Sequence, residues 1–104
     1  MKRIGFKMQL YPGKLQEYKK RHDEIWPELA VLLKDTGISD YSIFLDETTN
    51  SLFATLKVER QELMDQLPAH PVMKKWWAYM KDLMESNADS SPVSVPLQEV
   101  FYLP

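Results

Sequence analysis

The sequence contains no cysteine and only three glycines among its 104 residues. Without cysteine, the protein can have no disulfide, no catalytic thiolate and none of the zinc sites built on thiolates. So few glycines leave no glycine-rich loop that could cradle a phosphate group. The formal net charge is -2, which gives no strongly positive surface for nucleic acid or an anionic membrane. We therefore expect neither nucleic acid nor a membrane as a partner.

Long apolar runs are also missing. No segment approaches the roughly 18 uninterrupted apolar residues of a membrane-spanning helix. The N-terminal residues Met1–Phe6 enter an alternating pattern directly, without the apolar run of a signal peptide, and we therefore expect a cytoplasmic protein. The composition, 44% hydrophobic and 27% charged, is typical of one globular domain, which we expect to span residues 1–104.

Apolar residues that alternate with polar ones predict four strands. The first strand is N-terminal and ends at the turn Pro12-Gly13, and the next two form a β-hairpin around residues 46–50. A loop rich in Ser, Asp, Asn and Pro precedes the last strand, predicted from Leu97 to Tyr102. The apolar positions of the first three strands are Ile4, Phe6, Met8, Leu10, Tyr41, Ile43, Leu45, Leu52, Ala54, Leu56 and Val58.

Two helical regions connect these strands. Apolar residues recur at helical spacing from Leu15 to Leu33, but Pro27 interrupts the run, so we expect either a kink or a new helix near Trp26. Gly37 fits the left-handed residue that closes a helix. The second region is split by prolines into a short helix through residues 61–67 and a longer one from Pro71 to about residue 84.

The resulting order, β-α-β-β-α-β, predicts an α+β fold of the ferredoxin-like type, an antiparallel sheet with its helices on one face. The other face of the sheet then needs a cover. If Ile43 and Ala54 point toward the helices, Phe44 and Phe53 point away, and Val100 and Tyr102 could extend the same apolar patch. Because such patches usually mark interfaces, we expect a homodimer formed by two sheets packed face to face. The alternatives are that the faces are reversed or that the C-terminal segment covers the patch.

His22 is the first candidate for chemistry. It follows Tyr18 by four residues, so both side chains project from the face of the first helix that carries Leu15 and Ile25. Histidine is the usual residue for proton transfer near neutral pH. A core histidine satisfied by one hydrogen bond would show the same spacing. His70, before Pro71 at a helix start, is more simply explained as a loop residue near a cap.

The adjacent residues Trp76 and Trp77 are the second candidate. Neighbouring residues on a helix point about 100° apart, so both indoles cannot serve one small spot. They could fill the core of a small domain, or they could wall a pocket together with Tyr18, His22 and Tyr41. Flat aromatic side chains of this kind commonly pack on the C–H faces of sugars.

The remaining charged residues predict no cofactor or metal. Lys19-Lys20-Arg21 is typical of a solvated helix face, with Glu17 placed to pair with Arg21. Asp23 and Glu24 flank His22 without the spacing of a metal-binding motif. Chemistry without any cofactor is the natural inference.

Four segments together identify a known family. They are Glu17–His22, Ile25–Leu29, Trp76–Met80 and Leu97–Pro104, and they closely resemble the L-rhamnose mutarotase family over essentially the whole chain. The resemblance implies a cytoplasmic homodimer of the dimeric α/β-barrel type that acts on L-rhamnose. It also implies that His22 is the proton donor and that Tyr18, Tyr41, Trp76 and Trp77 contact the sugar.

General chemistry is consistent with these roles. Exchanging the two anomers of a cyclic sugar requires opening the hemiacetal, rotating about one bond and closing on the other face. One positioned acid can serve in both directions, and such assistance typically supplies about 10²–10⁴-fold in rate. Two alternatives stay open. One is a small cofactor-independent monooxygenase on the same dimeric fold, and the other is a dimer that binds a ligand without catalysis.

Overall fold

The structure, a computed structural model, describes every residue from Met1 to Pro104. Its elements follow the predicted order, with the second helical region split into short pieces. The strands are β1 (Lys2–Gln9), β2 (Ile38–Asp46), β3 (Ser51–Val58) and β4 (Val95–Leu97). The helices are α1 (Leu15–Asp23), α2 (Pro27–Asp35), α3 (Gln61–Met64) and α4 (Pro71–Met80), with a 3-10 turn at Leu67–Ala69. No helix has the length and apolar character needed to span a membrane.

The four strands form one sheet in the order β2-β3-β1-β4, and every neighbouring pair is antiparallel. Strands β1 and β3 are therefore central, and their alternate residues supply much of the core. Ala54, Leu56 and Met8 are buried, and they join residues of α2 and α4 such as Leu29 and Met80 in one apolar cluster. The predicted ferredoxin-like α+β fold, with helices on one face of the sheet, is confirmed.

Proline and glycine set the limits of the helices. Pro27 is the first residue of α2, where its missing N–H leaves no hydrogen bond unmade, so the chain starts a new helix there and does not kink. Gly37 follows α2 with a φ of +86°, which confirms the predicted left-handed position. A side chain at residue 37 would also bring its Cβ within 3.2 Å of Glu59 Cβ.

Two boundaries differ from the sequence prediction. The last strand is β4, paired with Gly5–Lys7 of β1, and the residues from 98 onward belong to no strand. The sequence predicted a loop that includes Pro96. Pro96 is in β4 instead, because β4 is an edge strand, where a residue without an N–H is tolerated. Helix α4 ends at Met80, several residues before the predicted end, because the chain then turns and its next residues pair with β1.

The outer face of the sheet carries exposed aromatic side chains. Phe44 and Phe53 are cross-strand partners in β2 and β3 and are 65% and 36% exposed, whereas Ala54 is fully buried. The hairpin faces are therefore those predicted. Beyond β4, the apolar residues Val100 and Tyr102 are also exposed. Within one chain, neither the aromatic pair nor the C-terminal segment is covered.

Candidate functional site

Helix α1 brings two of the predicted site residues into contact. Tyr18 is buried, and His22 lies one turn later on the same side of the helix. Their rings are 4.4 Å apart between centroids and tilted by 32°. The four-residue spacing thus produces the pair that it predicted.

A hydrogen bond fixes the orientation of the His22 ring. Its Nδ1 lies 2.9 Å from the backbone carbonyl oxygen of Tyr18. Since a carbonyl oxygen can only accept, Nδ1 must carry a proton in the neutral ring as well as in the cation. The nitrogen that gains and loses a proton is therefore Nε2, on the opposite side of the ring.

Helix α4 supplies the aromatic residue that meets His22. Trp76 is buried and contacts the His22 ring edge-on, with centroids 5.5 Å apart. The Trp76 ring also packs edge-on against Trp26, with centroids 5.1 Å apart, and its centroid lies 5.8 Å from that of Tyr79. We call these five residues, Tyr18, His22, Trp26, Trp76 and Tyr79, the aromatic cluster. Trp77 is only half-buried and makes none of the cluster's ring contacts, although it packs against the edge of the core.

A local irregularity in strand β2 sets the orientation of Tyr41. The register slips between Ser39 and Ser42, so that Asp40 and Tyr41 together face the single residue Leu56 of β3. Asp40 adopts a φ of +48°, and its carboxylate lies 3.2 Å from Lys57 Nζ. The extra residue of such a bulge re-aims the next side chain. The Tyr41 ring accordingly meets Phe6 edge-on at 6.4 Å.

Desolvation dominates the electrostatics of the site. Burial raises the pKa of Tyr41 to about 12, although two-fifths of the residue's surface is exposed, so its phenol group is the desolvated part. Burial also raises the pKa of Tyr18, with a further contribution from Tyr41. Both phenols are neutral at pH 7 and can donate or accept hydrogen bonds.

The pKa of His22 moves the other way. Burial disfavours the imidazolium and lowers the pKa below 6.5, and this outweighs the opposing effects of the Tyr18 carbonyl and Asp23. The site therefore combines a histidine that is mainly neutral at pH 7, two neutral phenols and an indole wall. No three His, Asp or Glu side chains gather as they would around a metal ion.

The Tyr18 hydroxyl makes no hydrogen bond within the chain, although the residue is only 6% exposed. It is not fully sealed from solvent either, since among the residues that are not exposed only Oε1 of Gln61 is both sealed and without a hydrogen-bond partner. Buried polar groups normally find a partner, so an open phenol beside a histidine suits the hydroxyl groups of a bound molecule.

Comparison with known proteins identifies the site's family. The family model described as L-rhamnose mutarotase matches residues 3–103. The chain belongs to the L-rhamnose mutarotase family. Two curated L-rhamnose mutarotases illustrate the match. The protein from Sinorhizobium fredii is 57% identical, covering 99% of each chain, and that from Brucella anthropi is 58% identical, covering 98% of this chain and 96% of the relative.

Solved structures agree with this assignment. The crystal structure of an L-rhamnose mutarotase from Formosa agariphila superposes with a TM-score of 0.94, at 53% identity and with all of both chains covered. A Mycobacterium tuberculosis protein, Rv0793, superposes with a TM-score of 0.61 at only 10% identity, over 98% of this chain and 97% of that one. The second likeness concerns the fold alone.

Two residues of the site region were not predicted from the sequence. The sequence predicted Trp26 only as a helix boundary, although residues 18, 22 and 26 share a four-residue spacing that places them on one side of the chain. Arg21 was expected on a solvated face, and this was wrong. Its predicted pairing with Glu17 is confirmed, but its side chain is only 12% exposed because it also binds residues at the end of α4.

The lowered pKa of His22 makes the stability of this mutarotase-family chain depend on pH. Below 6.5 the unfolded state binds a proton that the folded state resists, so the free energy of unfolding should decrease as the pH falls from 6.5 through the folded-state pKa. At pH values well above 6.5, the contribution of His22 to the free energy of unfolding should be constant. Urea unfolding at pH 7.5 and 5.5 measures this decrease, which should be smaller in His22→Asn.

His70→Asn is the matched control for this experiment. It removes the other histidine while keeping a side chain that can accept the hydrogen bond from the Val72 N–H at the start of α4. Any dependence on pH that remains in the control comes from groups other than His70. An equal loss of stability at pH 5.5 in wild type and His22→Asn would show that His22 is not the group responsible.

Proposed function

We propose that this protein is an L-rhamnose mutarotase that interconverts the α and β anomers of the sugar, with His22 as the proton donor. The observation that carries the proposal is the orientation of the His22 ring. Nδ1 is occupied by the Tyr18 carbonyl, so Nε2 alone is left to exchange protons, and the His22 ring packs against the rings of Tyr18 and Trp76. A family known by this activity and a histidine held in this way support the same reaction.

The reaction needs one proton transfer at each of two oxygens. In the opening step, the His22 imidazolium donates its Nε2 proton to the ring oxygen while the bond from that oxygen to the anomeric carbon breaks. The anomeric hydroxyl passes its proton to solvent water, and its oxygen becomes the aldehyde carbonyl. After rotation about the adjacent carbon–carbon bond, the hydroxyl formed from the ring oxygen attacks the other face of the carbonyl and returns its proton to Nε2, while solvent returns a proton to the carbonyl oxygen, which becomes the new anomeric hydroxyl.

The lowered pKa of His22 suits this cycle. Desolvation destabilises the imidazolium, so the cation is a better acid than an exposed histidine, and the neutral ring is available to take the proton back. Only a minority of the protein carries the cation at pH 7. The His22 imidazolium is therefore a stronger acid than that of an exposed histidine, but few protein molecules carry it at pH 7.

The four other residues would hold the sugar. The neutral phenols of Tyr18 and Tyr41 would bind sugar hydroxyls, and Trp76 would present an apolar wall to C–H groups and to the methyl group of a 6-deoxy sugar. The family resemblance assigns Trp77 to the same role. Because Trp77 is half-buried and lies outside the aromatic cluster, we expect it at the rim of such a site.

Polarimetry of a freshly dissolved single anomer tests the activity. We expect the protein to speed the approach to the equilibrium rotation in proportion to its concentration, and to do so with L-rhamnose without consuming oxygen. Oxygen uptake with a quinol-like substrate would instead support a monooxygenase. Thermal stabilisation by L-rhamnose with no change in rate would support a binding protein.

The proposed enzyme is a cytoplasmic homodimer. The exposed pair Phe44 and Phe53 lies on the sheet face away from the helices, and the residues that follow β4, at the edge of the sheet opposite β2, include the exposed Val100 and Tyr102. Large exposed apolar patches usually mark interfaces. A second copy packed on this face would cover side chains that one chain leaves in water.

Phe44→Lys should weaken this dimer. A lysine in place of an aromatic at the interface loses apolar contact and must bury a charge, so we expect the dissociation constant to rise at least about tenfold. Val31→Lys is the control, since Val31 is 57% exposed on α2, on the other side of the sheet. Sedimentation velocity over a concentration series measures both. An unchanged association of Phe44→Lys would contradict this assignment of the interface.

A further inference from the structure

We propose that Arg21 is a positioning residue for the anomer exchange. It fixes helix α1, which carries Tyr18 and His22, to the end of helix α4, which carries Trp76. Arg21 makes its hydrogen bonds to Glu17, Tyr79 and Asp82 and none to His22, so its effect would come through the distance between the two helices. This inference rests on the proposed function.

Arg21 reaches across to α4 through three hydrogen bonds. Its Nη1 donates to the backbone carbonyl of Tyr79 at 2.6 Å and to Asp82 Oδ1 at 2.9 Å, and its Nη2 donates to Asp82 Oδ2 at 3.3 Å. The Tyr79 carbonyl belongs to the last turn of α4, where the helix leaves carbonyl groups unpaired and favours a positive charge. One guanidinium therefore caps the helix and grips the turn that follows it.

Two further contacts hold the guanidinium in place. Its Nε donates to Glu17 on the same helix at 2.8 Å, and its central carbon lies 4.3 Å above the Tyr79 ring. With all three nitrogens hydrogen-bonded and one face over a ring, the side chain is only 12% exposed. Hydrogen bonds to Asp82 and Glu17 raise the pKa of Arg21 further, and the Arg21 guanidinium lowers the pKa of Asp82.

The backbone arrangement shows why such a link matters. Helix α2 packs its backbone closely on β2 and α4, whereas the backbone of α1 approaches no other element as closely. The position of α1 therefore depends on its side chains. Arg21 is the next residue to His22, so a shift of its anchor would move the imidazole directly.

The anchor is also connected to the aromatic wall. The Tyr79 ring beneath Arg21 packs on Trp26 at 5.5 Å and on Trp76 at 5.8 Å. Trp76 in turn contacts His22. The contacts thus form a closed loop from Arg21 through Tyr79 and Trp76 to His22 and back along α1. Opening the loop at Arg21 should loosen the spacing between His22 and Trp76.

The chain offers a matched control for removing this arginine. Lys19 also forms an ion pair on α1, with Asp23 at 2.8 Å, but its side chain and that of Asp23 are 71% and 62% exposed. Exposed pairs of this kind contribute little. Arg21→Gln and Lys19→Gln each remove one positive charge from the same helix and its ion pair with a carboxylate of α1, but only the first also breaks the link to Asp82 and the end of α4.

The test compares rates at a temperature where thermal unfolding shows both variants fully folded. We expect Arg21→Gln to lower kcat for L-rhamnose anomer exchange by between about tenfold and 100-fold, since an error near 1 Å in a reacting group can cost that much. Lys19→Gln should match wild type. Arg21→Lys should recover only part of the loss, because an ammonium cannot reproduce the two parallel bonds to Asp82.

A second readout does not depend on activity. The ring protons of His22 and Trp76 should give nuclear Overhauser contacts in wild type and Lys19→Gln, and these should weaken in Arg21→Gln along with a change in the His22 titration. If wild type fails to exchange rhamnose anomers, the proposed function falls, and this readout still decides the positioning role. Should Arg21→Gln not fold, Asp82→Asn replaces it, with the same changes expected at smaller size.

The inference would be overturned if folded Arg21→Gln had the wild-type kcat and an unchanged contact between His22 and Trp76. The same result in Asp82→Asn would overturn it if that variant is needed. A loss of stability alone, with both readouts unchanged, would equally show that Arg21 serves the fold and not the site.

Discussion

We expect His22→Ala to lower the catalysed rate of L-rhamnose anomer exchange by about 10²- to 10⁴-fold, the usual contribution of general acid–base assistance. His22 presents the one imidazole nitrogen at the site that is free to exchange a proton, because its other nitrogen is tied to the Tyr18 carbonyl. The surrounding phenols cannot replace it, since burial raises the pKa of Tyr41 to about 12 and raises that of Tyr18 as well. The exchange rate per mole of protein, measured against sugar concentration, gives the effect.

The control is His70→Asn, which removes the other histidine, far from the aromatic cluster at the start of α4. This variant should exchange anomers at the wild-type rate. Circular dichroism should show that His22→Ala is folded, because His22 is only partly buried and does not belong to the buried apolar cluster. Near-normal turnover by folded His22→Ala would remove this histidine from the mechanism.

The two adjacent tryptophans should differ sharply in their contribution to stability. Trp76 is 6% exposed and packs against His22 and Trp26, so Trp76→Ala should lower the free energy of unfolding by about 3–5 kcal/mol. Trp77 is half-buried at the edge of the core, so Trp77→Ala should cost about 1–3 kcal/mol. Urea unfolding at a fixed protein concentration measures both variants.

The pair is its own control, since both variants delete the same side chain from the same helix. Equal losses, or a larger loss from Trp77→Ala, would mean that the two indoles have exchanged their places relative to the core. That result would also move the sugar-facing wall from Trp76 to Trp77.

Much of the fold could be predicted because its signals are local. Alternation in residues 4–10 and 52–58 marks the two central strands, and Pro27, Gly37 and Pro71 mark helix limits through their backbone chemistry. The last strand could not be located in the same way. Val95–Leu97 contains a proline, and only its place at the edge of the sheet, a property of the whole fold, makes that proline acceptable.

The site divides in a similar way. Tyr18 and His22 could be paired from their spacing on one helix, and the structure packs His22 against both Tyr18 and Trp76. The orientation of Tyr41, whose ring meets Phe6, depends on a bulge at Asp40, which arises from a slip in pairing with β3. Such a slip depends on strand register rather than on local composition.

Arg21 illustrates the limit of sequence patterns most clearly. On α1 alone it belongs to a basic run, and pairing with Glu17 is all that helical spacing predicts. Its partners Tyr79 and Asp82 lie 58 and 61 residues away in the chain. Only the docking of α1 beside the end of α4 joins them, and this tertiary contact makes a residue expected in solvent a partly buried link between two helices.

Magnetisation exchange between the α and β anomeric protons of L-rhamnose tests the central claim most directly, because it follows the proposed reaction at equilibrium without a coupled assay. With a catalytic amount of the protein, we expect saturation of one anomeric signal to reduce the other, at a rate proportional to protein concentration. A sample without protein should show no such transfer on the same timescale. Identical spectra with and without protein across the range from pH 5.5 to 8 would contradict the assignment of this site to anomer exchange.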